Sequence, residues 1–419
     1  MVEPLSSPNV FWKLINSNGN LGVGAESTSA RTLLDHRGHR GQEIKNQPES
    51  EDHPMKSMFC FSALLVACLS GSEADPDAPV PAKPLELCGV SLSGAEFGKG
   101  QSPYPGAAEA KYFQNQGMNL IRLPFLWERL QNKLDAPFDA DELNRLKKLV
   151  EEITAQGQSV IIDVHNYARY QGKIIGSPEV PVKSFACFWK QLATSFKDNP
   201  RVLFGLMNEP HTMKSETWLA SANAAIAAIR ETGAKQTVFL CGNGWSGAHS
   251  WSHKWYGTAN AEAMLQIVDP ADKVVFEVHQ YLDPKGAGET PDCVGPQVGV
   301  EALSGFTAWL KQHKKRGFLG EFGGAVSPHS KEAIHAMLKH MEANPEVWVG
   351  WAWWGGGQSW PQSYLFRLSP DKQDQPAAQL AWLKPFLAKG VADQQPHSQI
   401  EPRTQSRPFS SSQQLDSAP

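Results

Sequence analysis

No apolar run in the 419-residue chain reaches eighteen residues, so no segment qualifies as a membrane-spanning helix. The GxxxxGK[ST] phosphate turn is missing, which removes the usual P-loop reading. There is no HExxH and no CxxC, so the thirteen histidines and six cysteines show no zinc spacing. Excess positive charge is lacking too. The net charge is −4, against a general nucleic-acid binder. Tyrosine is scarce at seven residues while tryptophan reaches fourteen, a bias toward flat apolar surfaces that stack on ligands. Hydrophobic residues at 41% and charged residues at 20% are ordinary for a folded protein and rule out disorder as a whole.

The ends differ from the middle. Residues 1–54 are polar, with His, Arg and Gly clustered from Asp35 to Gly41, and read as an upstream extension not native to the working protein. Lys56 then precedes the apolar stretch Phe59–Leu69, the pattern of a secretory signal, which assigns residues 55–74 to export. Leu65-Val66-Ala67-Cys68 also resembles a lipobox, which would anchor the protein through a lipid on Cys68; a cut after Ala74 would release it instead. Both outcomes, secreted protein or membrane-anchored lipoprotein, stay open. Residues 75–85 read as a spacer. Residues 390–419, rich in Gln, Ser, Pro and Asp, cannot bury enough surface to offset ordering entropy and are expected to be disordered.

Between these ends, residues 86–389 form one unit with a regular rhythm. Eight short apolar segments recur: Cys88–Leu92, Leu120–Pro124, Val160–Val164, Val202–Met207, Val238–Cys241, Val274–Val278, Gly317–Gly320 and Val347–Trp353. Helix-compatible stretches such as Ala140–Gln156, Lys183–Asn199, Thr217–Thr232, Val298–Lys314 and Lys331–Asn344 lie between them. Eight strand–helix repeats predict an α/β fold, a single (β/α)8 TIM barrel, rather than a doubly wound open sheet.

Polar residues crowd at the C-terminal ends of these segments: Arg122, His165-Asn166, Asn208-Glu209, Asn243 and Trp245, His279 and Tyr281, Glu321, and Trp354. In a barrel those ends converge on one face, where active sites sit. Glu209 and Glu321 follow the fourth and seventh segments, on opposite sides of the mouth. A facing carboxyl pair is the minimum apparatus for cleaving a glycosidic bond. Arg122 and Tyr281 are donors of the type that holds a carboxylate ionised and aimed. His279 would bond the other Glu or the sugar, Asn208 a substrate hydroxyl, and Trp354 would underlie a pyranose ring.

Val202-Leu-Phe-Gly-Leu-Met-Asn208-Glu209-Pro210 is similar to the signature of glycoside hydrolase family 5, the cellulase A family. Arg122-Leu-Pro, Asp163-Val-His165-Asn166-Tyr167, Val278-His279-Gln-Tyr281, Gly320-Glu321-Phe-Gly and Trp353-Trp354 follow in register. Gly89-Val-Ser-Leu-Ser-Gly and His165-Asn-Tyr-Ala-Arg look like its fungal-type endoglucanase branch. The resemblance implies an endo-β-1,4-glucanase with Glu209 as acid/base and Glu321 as nucleophile. Arg122, His165, Asn208, His279, Tyr281 and Trp354 would be the supporting shell, with no cofactor and no metal. It also implies retention of configuration, hence carboxyl groups roughly 5–5.5 Å apart.

Asn166, Asn243, Trp245 and Trp360 are the further candidates for sugar binding, whereas Trp189, Trp218 and Trp309 fall on helical stretches and read as packing. The expected partner is a β-1,4-glucan, and a monomer is expected because no pairing element is evident. Cys88 and Cys241 read as small core residues. The resemblance implies a disulfide on the loop that carries Cys293, but the partner position near Asp272 is not Cys. Mannan, xyloglucan and mixed-linkage glucan are alternative substrates, and a non-catalytic sugar-binding barrel is a remote alternative.

Overall fold

The structure, a computed structural model, describes residues 85–97 and 103–387. The extension, export signal, Cys68 and C-terminal tail inferred above, with the spacer up to its last residue, lie outside the described residues.

Eight parallel strands close into a barrel: β1 Leu87–Leu92, β2 Leu120–Phe125, β3 Ser159–Val164, β4 Val202–Gly205, β5 Val238–Cys241, β6 Val274–His279, β7 Gly317–Glu321 and β8 Trp348–Gly356. Each pairs with its neighbours in sequence, and β8 returns to β1. The connecting helices are α1 Ala107–Asn115, α2 Ala140–Ala155, α3 Val182–Phe196, α4 Ser215–Glu231, the single turn α5 Asn260–Ala263, α6 Val298–His313, α7 Pro328–Glu342 and α8 Ala378–Leu383. This is the expected (β/α)8 barrel, with each expected strand within a few residues of its place.

Local chemistry explains where helices begin. Asp139 caps α2 by accepting from the backbone N–H groups of Asp141 and Glu142, and Ser327 caps α7 ahead of Pro328 at the first helical position. Trp189, Trp218 and Trp309 are buried as packing residues, their indole N–H groups donating to the carbonyls of Leu206, Cys241 and Ala261.

The strands are buried on both faces, and alternate residues point into the barrel. The lower interior is apolar: Leu87, Leu120, Ile161, Leu203, Phe239, Val275, Phe318, Val349 and Ala352. Two residues further along, the same inward parity brings Arg122, Asp163, Cys241 and Glu277 into the barrel beneath the mouth. Arg122 is therefore in the middle of β2 rather than at its end. Space for it and Glu277 exists because β7 carries Gly320 at this level, where a Cβ would fall 1.9 Å from Glu277 Oε1.

Candidate active site

Arg122, fully buried, ties four strand ends together. Its Nε donates to Glu277 Oε1 (3.1 Å), Nη1 to Glu321 Oε1 (3.0 Å) and Nη2 to Asn208 Oδ1 (2.7 Å), with Asp163 Oδ2 3.2 Å from Nη2. Burial opposes its charge, but three carboxylates outweigh that and raise its pKa well above the ordinary value.

Glu321 ends β7 and accepts from the Tyr281 hydroxyl through its other oxygen, at 3.0 Å. Two donors thus aim one carboxylate. Glu209 stands opposite, on the turn after β4, with a left-handed backbone (φ 41°). Such a conformation costs a non-glycine residue about 1 kcal/mol or more and persists only where the surroundings enforce it. Here the neighbouring Asn208 N–H donates to Val164 O (2.8 Å), and Pro210 O accepts from Trp245 N–H (3.1 Å).

His279 links the pair. Its Nδ1 is 2.7 Å from Glu209 Oε1 and 3.6 Å from Glu321 Oε2, and its Nε2 is 3.2 Å from Glu277 Oε1. Burial alone would discharge this imidazole; Glu321, Cys241, Glu209 and Glu277 reverse that and raise its pKa well above normal. One oxygen of Glu209 and one of Glu321 lie within 4.8 Å of each other. The two carboxyls thus face each other at close range across His279. Burial raises the Glu209 pKa first and the charge of Glu321 adds to it, while the His279 bond pulls the other way.

His165 and Asn208 complete the wall. His165 Nδ1 lies 2.8 Å from Asp163 Oδ2, and its Nε2 lies 3.1 Å from Asn208 Nδ2. Burial works against both charges of the Asp163–His165 pair, yet Arg122 and His165 lower the Asp163 pKa, while Asp163 and then Glu321 raise that of His165 against the repulsion of Arg122. Trp354 stacks on His165 at 5.4 Å and 13°, and Trp360 meets Trp354 edge-on at 5.8 Å. Trp245 stacks on His211 at 4.5 Å and 7°. The indole N–H groups of Trp245 and Trp360 are shielded and have no hydrogen-bond partner.

The two asparagines expected to bind sugar are engaged elsewhere. Asn166 accepts from Trp127 N–H (2.6 Å) and donates to Glu128 Oε2 (2.6 Å). Asn243 donates to Met213 O (2.7 Å) and Ser215 Oγ (3.3 Å) and accepts from Gly244 N–H (2.9 Å). Each clamps a loop, because a loop amide beside unpaired backbone groups satisfies them before any ligand arrives. Trp351 and Trp353, beside Trp354, are fully buried. Among the described residues Cys88, Cys187, Cys241 and Cys293 are free thiols, Cys88 and Cys241 in the core as expected, and Cys293 forms no bridge.

Three groups in the site were not anticipated. Glu277 and Asp163 sit inside strands among apolar neighbours; their signal was a charge at the inward parity of a barrel strand. Glu96, beyond β1, is buried, and burial pushes its carboxyl up to about 7 against the pull of His165. Cys241, Glu277 and His279, or Glu209, His279 and Glu321, have ligand atoms within metal-binding reach of one another. Arg122 Nε donates to Glu277 Oε1, and His279 lies between Glu209 and Glu277, so these oxygens are engaged within the protein.

A parallel barrel with two facing carboxyls, a histidine between them and aromatic walls at its C-terminal mouth defines a glycoside hydrolase. Comparison with known proteins narrows the class. The family model described as cellulase (glycosyl hydrolase family 5) matches residues 80–357. The chain is 39% identical to endo-beta-1,4-glucanase A of Emericella nidulans over 294 residues, 67% of this chain and 86% of that protein. The structure of XacCel5A in complex with cellopentaose aligns with TM-score 0.71 and 44% identity, covering 72% of this chain and 99% of that one. Pseudomonas stutzeri endoglucanase Cel5A in complex with cellobiose gives TM-score 0.67 and 35% identity, covering 76% and 97%. The chain belongs to glycosyl hydrolase family 5.

Proposed function

We propose that this protein is a retaining endo-β-1,4-glucanase in which Glu209 is the acid/base and Glu321 the nucleophile. The observation that carries the reading is the unequal equipment of two close carboxyls. Glu321 receives Arg122 and Tyr281, whereas Glu209 is raised by burial and by the charge of Glu321.

Glu321 attacks the anomeric carbon as the glycosidic oxygen leaves with the proton of Glu209, giving a glycosyl ester on Glu321. Esterification removes the negative charge that held the Glu209 pKa up, so the same carboxylate then accepts a proton from water. Water adds at the anomeric carbon, the ester bond breaks, and both carboxyls return to their starting states. Trp354, which lies over His165, and Trp245, which lies over His211, are suited to stack on sugar rings. The cello-oligosaccharides in the similar structures support a β-1,4-glucan as substrate.

Carboxymethylcellulose, barley β-glucan and galactomannan, followed by viscosity and reducing ends together, test the reading. A steep early fall in viscosity on the glucans, lost in Glu321→Ala, is expected. Glu209→Ala should lose activity on glucan far more than on an aryl cellobioside whose phenol leaves without protonation. Activity confined to galactomannan would keep the mechanism and move the substrate. We also read residues 55–74 as an export signal, in keeping with a polymer met outside the cell; mass spectrometry of the mature N-terminus separates a cut after Ala74 from a lipidated Cys68.

A further inference from the structure

Beyond the aromatic walls just described, the loop after β5 carries Trp255, whose side chain is 52% exposed beside the barrel mouth. A single exposed apolar residue needs no explanation by itself, but this Trp is packed among specific neighbours. One face of its ring lies against Gly244, where a Cβ would be 3.3 Å from Trp255 Cε3. Gly244 has φ +70°, so both the turn and the close approach need glycine there. His253 and His249 meet the ring at steep angles, 5.3 and 6.3 Å between centroids, while half of the residue stays exposed. The same loop borders a recess of about 540 Å³ lined by His249, His253, Gln280, Asp283 and Glu301. Trp251 also lines it, buried and with an indole N–H that has no partner.

The position relative to the carboxyl pair sets the direction. Trp354 is tied to the nucleophile's segment by its N–H on Phe322 O (2.9 Å). On the other side, the acid's segment continues from Pro210 and His211 to Trp245, and Gly244 joins Trp245 to the Trp255 platform. His211 is held neutral, its pKa brought down to about 4 by burial and by Arg169, whose guanidinium lies 3.3 Å from its Nε2. The acid protonates the departing oxygen, so the departing chain runs along the acid's side.

Resting on the glucanase reading above, we propose that Trp255 is a distal sugar platform for the departing end of a β-1,4-glucan chain, with the His249–His253 recess supplying hydroxyl partners. The platform stacks a glucose unit beyond the one held at Trp245, and so sets how long a chain the enzyme prefers and where it cuts.

Cellohexaose and cellotriose, with products resolved by chromatography from substrate labelled at its reducing end, test this in the full chain. A stacking contact is worth about 3- to 10-fold in binding. Trp255→Ala is therefore expected to lower kcat/KM on cellohexaose at least about 3-fold more than on cellotriose, and to shift cuts toward the reducing end. Trp255→Phe should restore most of the difference. An identical cut distribution and an equal loss on both oligosaccharides would overturn the proposal, provided the unsubstituted enzyme cleaves cellohexaose. Failure of the unsubstituted enzyme to cleave it would instead strike the glucanase reading.

Discussion

Gly320→Ala probes the centre of the network from a residue with no side chain of its own. The added methyl would sit 1.9 Å from Glu277 Oε1, 2.5 Å from its Cδ and 2.6 Å from its Cγ. That oxygen accepts from Arg122 Nε and faces His279 Nε2, and Glu277 is too buried to withdraw into solvent. Overpacking costs about 1–3 kcal/mol. Loss of one hydrogen bond to a charged group adds about 1.5–3 kcal/mol. The expected destabilisation is about 4 kcal/mol. Glu277→Ala removes the atoms the methyl would strike, so Gly320→Ala should cost less than about 1 kcal/mol on that background, a coupling of about 3 kcal/mol. Urea unfolding of the four proteins measures it. Activity gives a second reading, because a 1 Å displacement near reacting groups lowers turnover about 100-fold. If Gly320→Ala costs the same in both backgrounds to within about 0.5 kcal/mol, the Glu277 carboxylate does not occupy that space and the network is wrongly drawn.

Two further outcomes follow from the same site. Asp163 has a native pKa below its unfolded value of about 3.9, so its contribution is complete above that pH and is lost as pH falls through the native value. Asp163→Asn should therefore be less stable by about 3 kcal/mol at neutral pH, and the gap should hold down to about pH 4 and narrow below it; a gap independent of pH in that acid range would contradict the assignment. Asn243→Ala removes the clamp on the turn before Trp245 and should lower stability by about 2 kcal/mol while raising KM for glucan. A raised KM with unchanged unfolding free energy would make Asn243 a direct sugar ligand after all.

Much of this protein was legible in its sequence because barrel topology turns a one-dimensional pattern into a place. Every residue just beyond a strand end arrives at the same mouth whatever the helices between do, so Glu209, His279 and Glu321 needed only the strand rhythm to be brought together. The motifs around them are local and survive without knowledge of packing. What tertiary structure alone decided is which way each group faces and what already occupies it. Glu277 and Asp163 looked like stray charges in apolar strands until the inward parity and the missing side chain at Gly320 gave Arg122 two partners. Asn166 and Asn243 stand at the right height, yet their amides close on Trp127, Glu128, Met213 and Ser215 from distant turns. A loop amide bonds whichever polar group is nearest in space, and nearness across 28 to 39 residues is a property of the folded chain.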